Sequence, residues 1–123
     1  DRRLRVSSRG DLESALFATG FPFKGRPGRT QSLKETERVR EATAGVRRFG
    51  AASLDLAFVA AGRFDAYWER GLGAWDVTAG IVIVREAGGM VSEINGGQKP
   101  AYEGSILAAN AEIYEKAKAL LSA

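Results

Sequence analysis

A chain of 123 residues, 45% hydrophobic and 27% charged, is one globular domain by size and composition, and its longest mainly apolar stretch, residues 74–84, carries Asp76 and is far too short for a membrane span. With no cysteine and no histidine it forms neither disulfides, nor thiolate or imidazole metal sites, nor a Ser-His-Asp triad, so any metal it binds is a hard cation held by oxygen. The net charge of +3 conceals +6 over residues 1–50, with 12 Lys or Arg against 6 Asp or Glu, and these basic residues lack the aromatic interleaving of a nucleic-acid binder.

The start, Asp1-Arg2-Arg3, has neither an initiator Met nor a signal-peptide run, as in a segment of something longer. Leu4 to Ser8 alternates weakly and predicts a short strand, and Ala15 to Phe23 predicts a buried strand that breaks at Pro22. The Gly-, Pro- and Arg-rich stretch from Lys24 to Gln31 reads as a loop. Ser32 and Glu35 have the spacing of a capping box, which predicts a helix from Ser32 to about Thr43, ahead of Gly45. A second helix is predicted from Ala52 to Ala61, with Leu54, Phe58 and Ala61 on one face and Gly62 as its stop. Phe64 to Trp68 has a strand period. Trp75 to Ala87 carries Val77, Ile81 and Val84 on one helical stripe, and Gly88-Gly89 closes it. Met90 to Ile94 and Ser105 to Ala109 read as short strands around the turn Asn95-Gly96-Gly97, and Ala111 to Leu121 as an amphipathic helix. Alternating helices and strands with no internal repeat indicate one α/β domain over residues 1–123. Leu54, Phe58, Trp68, Val77, Ile81, Val84 and Leu107 are its expected core, while Asp55, between two leucines, either caps or bonds within an interface.

Two acids look placed rather than scattered. The segment from Tyr67 to Asp76 ends a strand in Glu69, turns through Gly71 and Gly73, and starts a helix with Asp76. A carboxylate in the first turn of a helix is favoured by the helix dipole by about 0.3–1 kcal/mol, so capping alone accounts for Asp76. Helix N-termini also bind phosphate, which makes an acid there a good neighbour for a metal bridging to phosphate. Glu69 by itself reads as an exposed charge paired with Arg70 or Arg63.

Trp75-Asp76-Val77-Thr78-Ala79-Gly80, followed by Glu86-Ala87-Gly88-Gly89, resembles the second signature of the inositol monophosphatase family. Upstream, Arg47 to Leu56 and Val59 to Glu69 resemble the bacterial branch of that family, including its extragenic suppressor proteins. The resemblance runs essentially from Leu4 to the end. It implies the C-terminal half of the layered α-β-α-β-α sugar-phosphatase fold, a mixed sheet flanked by helices. It also implies a cytoplasmic, usually homodimeric, Mg²⁺-dependent phosphomonoesterase that hydrolyses inositol phosphate, or a related phosphorylated polyol, through a metal-activated water. The family's Asp-Pro-x-Asp-Gly-Thr motif is absent from this sequence, so the chain is expected to lack the metal-binding first half and to hold no complete catalytic set.

By the same resemblance Asp76 is a metal ligand that also approaches the substrate, and Glu69 accepts hydrogen bonds from inositol hydroxyls. Gly50, Ala51 and Ala52 line the substrate pocket at a helix N-terminus, and Arg47 lies at the substrate site or the subunit contact. Many relatives have Ser or Thr where this chain has Ala51, which removes one hydroxyl that could orient water. Alternatives within the fold are a fructose 1,6-bisphosphatase or a 3′-phosphonucleotidase. From another class, extragenic suppressor proteins also contact the transcription machinery, and the basic first half would suit such contacts.

Overall fold

The computed structural model describes residues 4–20, 29–71, 77–100 and 104–122. Five strands form one sheet: β1 (Leu16–Thr19), β2 (Gly45–Arg47), β3 (Ala66–Arg70), β4 (Met90–Ser92) and β5 (Ser105–Ala109), in the order β2-β1-β3-β5-β4. The first three strands in that order run parallel, while β5 pairs antiparallel with both β3 and β4. The mixed, helix-flanked sheet is thus the predicted class.

Helices α1 (Arg29–Ala42) and α4 (Tyr114–Ser122) cover one face, and α2 (Ala52–Ala60) and α3 (Thr78–Glu86) the other. Because successive strand side chains point to opposite faces, β3 feeds both cores at once. Trp68 joins Phe17, Val39, Leu107 and Ala117 on the α1/α4 side, whereas Tyr67 joins Ala18, Leu56, Val84 and Ile106 on the α2/α3 side. With helices on both faces, a strand needs no polar side. Tyr67, which with Asp65 alternates against Phe64, Ala66 and Trp68 in the sequence, is fully buried.

Several boundaries differ from the sequence reading, each for a physical reason. Leu4 to Ser8 is not a strand. It is held by single ties, Val6 N–H to the Ala87 carbonyl at 3.0 Å and the Ser7 hydroxyl to the Asp65 carboxylate, with no ladder partner. The helix predicted from Ser32 begins at Arg29, so residues 29–31 are helical, and Ser32 sits inside it with its hydroxyl buried and without a hydrogen-bond partner among the described residues. No capping box forms, because Glu35 turns inward to Arg70. Residues 45–47 form β2, a strand too short to carry a visible period. In α2 the inward face is Asp55, Leu56, Val59 and Ala60, and Leu54 is 43% exposed rather than core. Phe58 is half-buried in a ring cluster with Phe49 and Phe64, whose centroids lie 5.5–6.0 Å apart. The strand predicted at 64–68 lies at Ala66–Arg70, β4 stops at Ser92, and α4 follows a turn at 111–113. The Asn110 carboxamide opens that turn by accepting from Ile113 N–H at 2.7 Å. Ser105–Ala109 matches as predicted.

Candidate active site

The parallel strands β2, β1 and β3 all end at one edge of the sheet. Their register sets Arg47 beside Ala18 and Trp68 beside Thr19. From β1 the chain leaves through α1 on one face to reach β2, then crosses through α2 on the opposite face to β3. Such a switch of sides opens a crevice beyond the carboxyl ends of parallel strands, which is where open α/β sheets bind ligands. Arg47, Gly20, Glu69 and the start of α2 converge on this edge.

Glu69 is the central acid. It lies one residue before the end of β3, on the α2/α3 face with Tyr67, and is half-buried. Tyr67 donates its phenolic hydrogen to Glu69 Oε1 at 2.5 Å. Burial, and then the negative charge of Glu69, push the Tyr67 hydroxyl far above the usual tyrosine range, so it stays a donor at any working pH. Gly20, just past β1, leaves the space that the carboxylate fills, since a Cβ there would lie 2.7 Å from Glu69 Cδ. Arg70 points to the other face, where its guanidinium grips Glu35 of α1 at 2.7–3.2 Å, and Arg63 lies 5.7 Å over the Phe58 ring. Neither arginine plays the role of Glu69 partner that the bare sequence suggested.

The α2 N-terminus provides the second component. Gly50 holds φ +75°, a conformation that glycine adopts without strain, and turns the chain into the helix. Ala51 is the N-cap residue and makes no side-chain hydrogen bond, so the first N–H groups of α2 receive no side-chain cap. Gly50 and Ala51 are exposed and Ala52 is half-buried. Small residues with uncapped amides suit the approach of an anionic or polyol oxygen. Arg47, exposed at the end of β2, adds positive charge to the same edge.

Asp76 and Trp75 lie outside the described residues, as do Pro22 and residues 24–28 of the predicted loop. Among the described residues no group of three or more acidic, His or Cys side chains is placed to hold a metal. A groove lined by Leu4, Arg5, Ile83, Glu86, Ala87 and Gly88 opens near the opposite edge of the sheet and is not part of this arrangement. Nothing in the sequence marked Gly20, which reads simply as the end of an apolar strand. Tyr67 was hidden by the strand period, and Glu35 by its capping-box spacing.

The profile described as the inositol monophosphatase family matches residues 1–123. An inositol-1-monophosphatase of Caulobacter vibrioides is 53% identical over 115 residues, which are 93% of this chain and 45% of that protein. A protein of Pseudomonas aeruginosa named Nus factor SuhB is 50% identical over 123 residues, covering 98% of this chain and 44% of its own length. The crystal structure of the extragenic suppressor protein suhB from Bartonella henselae superposes with a TM-score of 0.92 at 47% identity, covering 98% of this chain and 47% of that one. This chain thus spans about half the length of the relatives it matches.

Proposed function

Because this chain belongs to the inositol monophosphatase family, we propose that residues 1–123 are the C-terminal half of a Mg²⁺-dependent phosphomonoesterase. The intact protein, cytoplasmic and homodimeric in this reading, hydrolyses inositol monophosphate or a related phosphorylated polyol to the polyol and phosphate. The observation that carries the reading is the placement of Glu69, Gly20 and the uncapped start of α2 at the carboxyl ends of the parallel strands. Glu69, oriented by Tyr67, accepts hydrogen bonds from polyol hydroxyls. A charged acceptor makes stronger hydrogen bonds than a neutral one, which suits selection of a diol. The amides of Gly50, Ala51 and Ala52 and the positive end of the α2 dipole face the oxygens of the bound molecule, and Arg47 favours its negative charge.

Asp76 is the single metal ligand this half contributes. The described residues hold no metal-binding group of three or more, and in this reading the carboxylates of the family's first half complete the site. When bound, Mg²⁺ would supply a lowered water pKa and stabilise charge on the phosphoryl oxygens. The side chains present around the edge, carboxylate without imidazole or thiolate, have the oxygen-donor chemistry of a hard cation.

In the intact protein Asp76→Asn should abolish Mg²⁺-dependent phosphate release with little loss of stability; near-wild-type turnover would sink the assignment. Glu69→Gln should raise KM for inositol phosphate more than for an aryl phosphate, and equal changes would reduce Glu69 to a general electrostatic role. A second reading, contact with the transcription machinery, is favoured by the Nus factor name of the Pseudomonas relative. Asp76→Asn should leave such contact intact, so a pull-down that loses the partner in this variant would show that the two roles are not separable.

A further inference from the structure

The first turn of α2 buries a carboxyl group whose role is not explained by folding. Asp55 is 1% exposed, yet among the described residues neither of its carboxylate oxygens has a hydrogen-bond partner. An ionised carboxylate buried unpaired is among the costliest arrangements a fold can hold. Asp55 does not cap its helix, whose N-cap is Ala51.

Its electrostatic neighbours are specific. Asp55 lies on the buried face of α2, which packs on β3, the strand whose Tyr67 and Glu69 share the α2 side. The elements packed on α2 are α3, β3 and β5. On β3, Tyr67 and Glu69 share the face toward α2, while Arg70 is on the other side with Glu35. In α3 the titratable residues are Arg85 and Glu86, both exposed in its last turn, and β5 has none. Among the described residues, then, Tyr67 and Glu69 are the titratable groups that Asp55 faces. Two carboxyls in one poorly solvated place do not both ionise readily. Glu69 keeps contact with solvent and receives the Tyr67 hydroxyl; Asp55 has neither advantage.

We propose that Asp55 is a positioning residue for Glu69: it is the buried, proton-bearing partner of the half-buried Glu69, and by staying neutral it leaves Glu69 as the anion that accepts polyol hydroxyls. The proposal rests on the reading of Glu69 given above. Burial, reinforced by the Glu69 charge, pushes the Asp55 carboxyl up to about 7, consistent with that geometry. Once Asp55 ionises, repulsion between the two carboxylates displaces Glu69 from the Tyr67 hydroxyl, and the hold on a polyol weakens.

The test uses the intact protein with inositol phosphate and an aryl phosphate lacking hydroxyls, whose KM ratio cancels titration of the phosphate and of any metal-bound water. The wild-type ratio should rise roughly thirtyfold from pH 6 to 8.5, about one proton's effect over that span, whereas Asp55→Asn, neutral at every pH, should hold it constant. Superimposable profiles would overturn the proposal. In case the variant folds poorly, the carboxyl carbon of Asp55 can be followed by NMR in the wild type. It should titrate near neutrality, and at lower pH in Glu69→Gln; titration below pH 5, or no response to Glu69→Gln, would also overturn it. If that titration behaves as expected while Glu69→Gln leaves the KM ratio unchanged, the coupling stands and the polyol role of Glu69 is what fails, taking with it the positioning role of Asp55.

Discussion

The ion pair between Glu35 and Arg70 makes an asymmetric prediction. Glu35 is 1% exposed on α1, whereas the Arg70 side chain at the end of β3 is 22% exposed, and the two meet through Nε at 3.1 and 3.2 Å and Nη2 at 2.7 Å. At an effective dielectric near 20, two unit charges about 4 Å apart attract by about 4 kcal/mol, much of it offset by their desolvation. Arg70→Met strands a charge that has no route to water, and should cost about 3–4 kcal/mol. Glu35→Met strands a guanidinium that can turn outward to solvent, and should cost only about 1–2 kcal/mol. The double variant replaces both groups with apolar chains of similar volume and should fall within about 1 kcal/mol of wild type. Urea unfolding of all four proteins, with m checked for constancy, measures the cycle. Equal costs for the two single variants, or a double variant that loses their sum, would refute this account of what joins α1 to β3.

Three further outcomes follow from the same geometry. Gly80→Ala places a Cβ 2.6 Å from Leu56 Cδ1 and 2.9 Å from Leu56 Cβ, where α3 packs on α2. The overpacking should outweigh the roughly 1 kcal/mol gain in helix propensity and lower Tm by several degrees, so a variant as stable as wild type would contradict the packing described. Gly20→Ala meets only the end of the Glu69 side chain, which can move. Stability should therefore change by less than about 1 kcal/mol while KM for a polyol phosphate rises several-fold in the intact protein; unchanged KM would separate Gly20 from the site. Asp55 stabilises the fold only while protonated: its folded value of about 7 lies above the usual 3.8, so its contribution is complete below pH 4 and is lost as pH rises toward 7. At about 1.4 kcal/mol per unit, the stability of Asp55→Asn relative to wild type should grow by up to about 4 kcal/mol between pH 4 and 7.5. A difference flat across that range would exclude this titration.

Much of the architecture was legible from patterns along the chain. Apolar spacing placed α3 and α4 to within a few residues, and Ser105–Ala109 was found with both its ends. Arg47, Glu69 and Gly50 to Ala52 lie toward the carboxyl ends of the parallel strands, a placement set by register and not visible in the motifs themselves. Elements with few residues or single ties were lost: β2 has three residues, and Leu4 to Ser8 is held by separate hydrogen bonds rather than a ladder. The capping-box reading of Ser32 and Glu35 failed because that pattern describes only local bonds. Glu35 instead found a guanidinium 35 residues away.

Local order thus decided what each stretch of this chain could become: which residues turn, which alternate, and that its metal chemistry is limited to oxygen donors. The tertiary structure decided which charges are neighbours. Asp55 and Glu69 are 14 positions apart, on a helix and a strand. They belong to packed elements only because α2 crosses to the opposite face of the sheet from α1 and lies against β3. Burial and charge coupling depend on distance in space and on access to water, and neither can be read from the identity of a residue or the spacing of its neighbours.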